Sequence, residues 1–226
     1  MSPSYPSPIL AVDTGSPTPS VALERPGEPP IVRAAEPRAC SERLLGLIDE
    51  TLSEAGLELA QLGGMVALRG PGSFTGLRVG LATVLGLHQA TGLPATAVPT
   101  LEVIGRWALA QSPAAACLAV VDALRDHWFV ARFARDQAGV QGDASRSSAA
   151  EVVSRLREDG ALCLAGFGAA RLAAAAGHRG DTLEPRGLAA AAARQALERP
   201  PAWDPTLLTR PLYLQPPAAT GAAGGA

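Results

Sequence analysis

Residues 70–80 read GPGSFTGLRVG, and the chain runs on as LATVLGLHQAT to residue 91. Four glycines in eleven residues, followed by an apolar stretch, admit two readings. The first is a phosphate cradle, in which backbone N–H groups, helped by Ser73 and Thr75, point inward at a helix N-terminus. A Walker loop would need a lysine after Gly76, where Leu77 stands, and the chain has no lysine at all, its 19 basic residues all being arginine. The second reading is a helix whose missing side chains let another segment come close. At about 100° per residue, Gly76, Gly80, Thr83, Leu87 and Ala90 form a stripe of mostly small residues over 74–91. Leu77, Leu81, Val84 and Leu85 fill a second sector, Val79 and Ala82 lie to the other side, and Arg78 is the only charge. A helix apolar nearly all round is buried on more than one side. A sheet covers one side, which leaves either a separate polypeptide or the chain's own C-terminal half for the other. The separate partner is the preferred reading.

Upstream, ILAVD (9–13) is an apolar run that ends in Asp13, and TGSPTP supplies turn residues before SVALE (20–24), so the two form a hairpin. A Pro-rich turn at 26–30 leads to a shorter strand, IVRAA (31–35). Ser41 is a helix N-cap, and Leu45, Ile48 and Leu52 recur at helical spacing, with Leu44 and Thr51 beside them, until Gly56 closes the helix. MVAL (65–68) and ATAV (95–98) are strands, and Thr100 after Pro99 opens a further helix. The order β-β-β-α-β-α-β-α predicts an α/β sheet with a parallel part. The second half repeats the theme less clearly. ACLAVVD (116–122) and HWFVARF (127–133) form a hairpin turning at 124–126, ALCLAG (161–166) is a buried strand, and helices lie near 149–157, 169–176 and 188–197. Two domains, 1–110 and 111–215, are expected, with a disordered tail at 216–226.

A net charge of -2 with 18% charged residues provides no polybasic field, so RNA contact is expected only through a complex. Cys40, Cys117 and Cys163 are odd in number and far apart, which suggests neither a disulfide framework nor a Cys-x-x-Cys metal site. No signal-peptide pattern opens the chain and no apolar run is long enough for a bilayer, so a soluble cytoplasmic protein with no membrane partner is expected.

Asp13-Thr14-Gly15 at the end of the first strand suits either a phosphate-binding turn or simple ordering of the hairpin, and the latter is favoured. Asp122 is read in the same way. His88, His127 and His178 form no His-x-x-x-His pair, so no metal site is expected. Trp128 and Phe129 read as core, Arg132 and Arg135 as a minor tRNA contact, Arg194 and Arg199 as solvated ends of an alanine-rich helix, and GFG (166–168) as a turn.

ILAVDTGSPTPSVAL, CSERLLGLIDETLSEAGL and above all GPGSFTGLRVGLATVLGL resemble the TsaB (YeaZ) family, and VDALRDHWFVARF and PLYLQPP fit its later segments. The resemblance implies two ribonuclease H-like domains of the actin/Hsp70/sugar-kinase (ASKHA) type, with mixed sheets flanked by helices. It implies a subunit without chemistry of its own in threonylcarbamoyladenosine synthesis on tRNA. A TsaD-like paralogue would carry the metal and the ATP or ADP, a TsaE-like P-loop ATPase would act with them, and this chain would require no cofactor. The group goes to the adenosine next to the anticodon of tRNAs reading codons that start with A. The resemblance places a four-helix contact with TsaD, or with a second copy when TsaD is absent, on Cys40, Leu44, Leu45, Ile48, Thr51, Leu52, Phe74, Arg78, Leu81, Ala82 and Leu85. A degenerate nucleotide region would be bordered by Asp13, Thr14, Gly15, Gly70, Gly72, Ser73 and Thr75. Cys40-Ser41 stands where family members often have His-Ser. The competing class is an enzyme of the same fold, an ATPase or small kinase or a glycoprotease-like enzyme, which would need a complete phosphate and metal site or an activated nucleophile.

Overall fold

The computed structural model describes residues 7–36, 40–135, 140–159 and 161–213. Two five-stranded mixed sheets organise them. The first comprises β1 (Ile9–Asp13), β2 (Ser20–Glu24), β3 (Ile31–Ala34), β4 (Gly64–Leu68) and β5 (Ala95–Val98), in the order β3-β2-β1-β4-β5. Strands β1, β2 and β3 pair antiparallel, and β1, β4 and β5 pair parallel. Helices α1 (Cys40–Ala55) and α2 (Phe74–Thr91) make the crossovers between the parallel strands, and α3 (Thr100–Gln111) leaves the sheet. The second sheet repeats the plan with β6 (Ala116–Asp122), β7 (His127–Ala134), β8 (Val140–Ser148), β9 (Cys163–Phe167) and β10 (Thr182–Leu183), in the order β10-β9-β6-β7-β8. Helices α4 (Ala149–Glu158) and α5 (Ala169–Ala176) belong to it, and α6 (Ala189–Glu198) follows.

The strand period of two sorts side chains into three cores. Leu10, Val12, Val21, Leu23 and Met65 face outward beneath Leu44, Leu47, Ile48, Leu52, Leu81 and Val84 of α1 and α2. Ile9, Ala11, Ala22 and Val66, on the opposite face, share a central core with Ala119, Val121, Phe133 and Ala165 of the second sheet. Helices α3 and α6 fill this central layer, and the buried small side chains of α6, Ala189, Ala192, Ala193 and Ala196, let it lie there. Leu118, Val120, Trp128 and Leu164 complete a third core with Val152 and Leu156 of α4 and Leu172 of α5.

The helices do not respect a cut at residue 110. Helix α3 packs on β6, β7 and β9, whereas α6 packs back on β1, β2 and β4. A 3-10 turn at Pro205–Thr209 continues as a C-terminal strap along β5 and α2, placing Leu207 and Leu208 in the outer core. Leu212 N–H donates to the Arg69 carbonyl at 2.6 Å. The tail at 216–226 lies outside the described residues.

Several details differ from the sequence reading: strand β10 was not foreseen, and α1 begins at Cys40, so Ser41 lies inside the helix and is not its N-cap. Strand β8 was not foreseen, because VQGDASRSS has no apolar alternation to mark it, and its pairing with β7 makes it a strand. Strand β9 begins at Cys163, not at Ala161, and reaches Phe167. It sets Cys163 opposite Cys117 of β6, so two cysteines far apart in the chain become neighbours. Their thiols are hydrogen-bonded, which together with burial holds the Cys117 thiol far above its ordinary pKa.

The β6–β7 turn carries three consecutive non-glycine residues at positive φ: Leu124 (64°), Arg125 (50°) and Asp126 (60°). His127 N–H donates to the Leu124 carbonyl at 3.1 Å, so Arg125 and Asp126 are the central pair of a hairpin turn that favours Asn-Gly. The double variant Arg125→Asn, Asp126→Gly is expected to stabilise the chain by about 1 kcal/mol. In thermal unfolding this reads as a Tm rise of roughly 2–4 °C.

Candidate functional site

The loop from Arg69 to Ser73 leads from β4 into α2, and Ser73 in it is bonded within the chain. Ser73 caps α2 by accepting from Gly76 N–H at 3.3 Å, and Ser73 N–H donates to the Gly15 carbonyl at 2.8 Å. Thr14 Oγ1 donates to the Gly76 carbonyl at 2.7 Å. A Cβ at Gly72 would stand 2.6 Å from the Gly15 oxygen, and one at Gly76 or Gly80 would fall inside the Thr14 carbonyl or hydroxyl oxygen. These glycines therefore admit the β1–β2 loop, which sits directly on the N-terminal half of α2.

Asp13, at the base of that loop, is 0% exposed. Its carboxylate accepts from Gly15 N–H and Ser16 N–H at 3.2 Å each and from Leu188 N–H, at the start of α6, at 3.3 Å. Ser20 Oγ takes the next amide, Ala189 N–H, at 3.4 Å. The positive end of α6 is thus occupied by the chain's own carboxylate. Burial pushes the Asp13 carboxyl up to about 6, against the lowering pull of its hydrogen bonds to Ser16, Gly15 and Leu188. The β1–β2 loop sets Thr14 and Gly15 against Gly72, Ser73 and Gly76. Asp13 and Thr14 are buried and bonded to one another's neighbourhood, while Thr75 is exposed.

The helix-contact residues divide into two sets. Leu44, Ile48, Thr51, Leu52 and Leu81 are buried in the chain's own core, so they hold α1 and α2 from beneath and present no surface. Thr51 Oγ1 donates to the Leu47 carbonyl at 2.6 Å, and Leu47, which the sequence reading did not name, belongs to this inward set. Leu45 points out and is 61% exposed. On α2, Phe74 is 52% exposed, Arg78 and Ala82 are exposed, and Leu85 is half-buried. Cys40 opens α1, and its side chain lies outside the described residues.

The second side of α2 is shared. The C-terminal strap takes part of it, stacking Tyr213 on Phe74 with ring centroids 5.0 Å apart. The Arg78 guanidinium lies 4.0 Å over the Phe74 ring, and its Nε donates to the Tyr213 hydroxyl at 3.2 Å. The rest of the outer stripe stays open. Gly46 of α1 and Gly86 of α2 are exposed, and a Cβ at either would meet nothing within 4 Å. Tyr213, Gly46 and Gly86 were missed by the sequence reading. The two glycines were legible as mid-helix breakers with no turn to serve, whereas nothing local to Tyr213 tells where the strap returns.

Comparison with known proteins follows this geometry. The family model for TsaD, tRNA N6-adenosine threonylcarbamoyltransferase, matches residues 33–173, more than half of the chain. The chain belongs to the TsaD family. Within that family it is 33% identical over 132 residues to the tRNA threonylcarbamoyladenosine biosynthesis protein TsaB of Escherichia coli K12, covering 58% of this chain and 57% of that protein. It is 33% identical over 129 residues to the protein of the same name from Haemophilus influenzae, covering 57% of this chain and 55% of that one. The matched region thus spans a little over half the length of these curated relatives. A solved structure, YeaZ from Pseudomonas aeruginosa, shares the fold with a TM-score of 0.72 at 24% identity, covering 92% of this chain and all of that one. Among the described residues no group of three or more His, Cys, Asp or Glu is placed to hold a metal ion, and no helix is long and apolar enough to cross a membrane.

Two outcomes are expected. Gly76→Ala should cost about 1–3 kcal/mol in urea unfolding, because the new methyl drives the β1–β2 loop off α2. Asp13 has a folded-state pKa raised above its unfolded value, so the stability it contributes is full below pH 3.8 and lost as pH rises through about 6. Unfolding measured between pH 4 and 7 should show a loss of up to about 3 kcal/mol in the parent chain that is missing from Asp13→Asn.

Proposed function

We propose that this chain is a non-catalytic docking subunit in threonylcarbamoyladenosine synthesis on tRNA, and that the outer face of α1 and α2 binds a TsaD-like paralogue. Leu45, Phe74, Arg78, Ala82 and Leu85 make the contact, with Cys40 at its edge and Gly46 and Gly86 at the points of closest approach. Family membership and the names of the bacterial relatives support the role.

The observation that carries the placement is the pair of exposed mid-helix glycines. A glycine in a helix interior costs roughly 0.5–1 kcal/mol relative to alanine and here relieves no crowding within the chain. Such positions make sense where a second helix backbone comes close. Leu45 and Phe74 provide apolar anchors on the same two helices, and Arg78 is already held in place by Phe74 and Tyr213.

In this reading 1–110 and 111–215 are two ribonuclease H-like domains. ATP or ADP and metal belong to the TsaD-like partner, a TsaE-like ATPase joins the assembly, and a second copy takes the same face when the partner is absent. The protein works in the cytoplasm. No nucleotide role is assigned to Asp13 and its neighbours, since their polar groups are already bonded within the chain.

The test separates folding from docking. Gly46→Ala and Gly86→Ala should each stabilise the isolated chain by about 0.5–1 kcal/mol in chemical unfolding. Both should weaken binding to the TsaD-like protein of the same organism by about tenfold in calorimetry, about 1.4 kcal/mol. Stabilised variants that bind as tightly as the parent would place the interface elsewhere.

A further inference from the structure

The second sheet sets two free cysteines side by side. Cys117, the second residue of β6, and Cys163, the first of β9, are registered partners on adjacent parallel strands, and both side chains enter the central layer. Neighbouring strands run about 4.8 Å apart, within the Cα separation of about 4.4–6.8 Å that a disulfide spans. Joining the two sulfurs therefore asks for side-chain rotation and little strand movement. The thiols are already hydrogen-bonded to each other.

Packing accounts for two small apolar side chains in a core, but not for the polar groups that continue from them. Cys163 is also hydrogen-bonded to Ser112, the C-cap of α3, which is itself buried. Ser112 Oγ donates to Asp181 Oδ2 at 2.6 Å and accepts from Ala114 N–H at 3.1 Å, which leaves one lone pair to face the Cys163 thiol. Asp181 is exposed. Donors thus run in one direction, from Cys117 to Cys163 to Ser112 to Asp181, out of the core to solvent. The same bonds make the two thiols unequal. The hydrogen bond from Cys117, aided by Ser112, holds the Cys163 thiol below its ordinary pKa against burial and the Asp181 charge, whereas Cys117 stays protonated. One thiol that ionises beside one that does not is the division of labour between an attacking and a resolving cysteine.

We propose that Cys117 and Cys163 form a reversible dithiol–disulfide site whose oxidant is a hydroperoxide and whose attacking thiol is Cys163. Cys163 passes its proton through Ser112 to Asp181, and its sulfur attacks one peroxide oxygen. The O–O bond breaks, the other oxygen leaves with a proton as alcohol or water, and Cys163 becomes a sulfenic acid. The Cys117 sulfur then attacks the Cys163 sulfur. The S–S bond forms, the S–O bond breaks, and hydroxide leaves with the Cys117 proton as water. Two thiols and one hydroperoxide give one disulfide, one alcohol or water, and one water, with two electrons passing from sulfur to oxygen. A dithiol reductant reverses the change by exchange.

The experiment treats the full folded chain with one equivalent of hydrogen peroxide, alkylates it, and maps tryptic peptides by mass spectrometry with and without dithiothreitol. Cys40, Cys117 and Cys163 fall in separate tryptic peptides, so Cys40 reports general oxidation. The parent should lose the Cys117 and Cys163 thiols together and yield their linked peptides, which dithiothreitol splits. Cys117→Ser should gain oxygen at Cys163, whereas Cys163→Ser should leave Cys117 unoxidised, an asymmetry that misfolding does not produce. Ser112→Ala should slow thiol loss about tenfold at neutral pH and move its pH profile upward, and Ser112→Thr, which keeps the hydroxyl, should restore both. No linked peptides from the folded chain, linkage only after denaturation, or equal oxidation of Cys117 in Cys163→Ser would overturn the site. It lies in the second sheet, away from the outer face of α1 and α2, so its failure leaves the docking role standing.

Discussion

The contact of the β1–β2 loop with the bare face of α2 governs the rest of the molecule. Because Gly76 and Gly80 have no side chains, Thr14 reaches the helix backbone and bonds to it, which fixes the rotation of α2 about its axis. That rotation turns Leu77, Leu81 and Val84 onto the sheet and leaves Phe74, Arg78, Ala82 and Gly86 outside. The same loop carries Asp13 to the first amides of α6, so the position of one helix on the outer face is coupled to the position of another in the central layer.

That coupling explains how the two sheets are joined. Helix α6 arises after the second sheet in the chain but packs on the first, while α3 does the reverse. The exchange seals a common apolar layer and leaves a trough along the line where the two helices meet. The fold therefore presents two different surfaces on opposite sides of one sheet: a glycine-bearing helix pair with Leu45 and Phe74 exposed, and a depression edged with both arginines and glutamates. The first gives up helix stability at Gly46 and Gly86 and is suited to backbone contact with another helix.

Much of this was legible one segment at a time. The strands at 9–13, 20–24, 65–68 and 95–98 and the helices at 41–55 and 74–91 were marked by apolar period, by Gly56 at a helix end, and by turn residues between strands. Strand β8 was not, because its residues are polar and only pairing with β7 makes them a strand. Leu47, two residues and about 200° of helix away from the exposed Leu45, was not singled out, because which leucines of α1 face in depends on where the sheet lies. Arg194 and Arg199 read as solvated ends of an alanine-rich helix, since nothing in a linear pattern says that α3 and α6 will meet.

The order of residues alone determined the period of each element, the capping of its ends, the absence of a lysine-dependent phosphate loop, and the presence of a helix too apolar and too glycine-rich to face water. These follow from local sterics and from the repeat of apolar side chains, which act over a few residues. Tertiary packing decided that Thr14 fills the space at Gly76 and Gly80 of α2, that Asp13 closes α6, and that the strap brings Tyr213 onto Phe74. Those outcomes depend on which distant segments share a neighbourhood. The free energy that selects the pairing comes from burial summed over three cores, and no single stretch of the chain contains it.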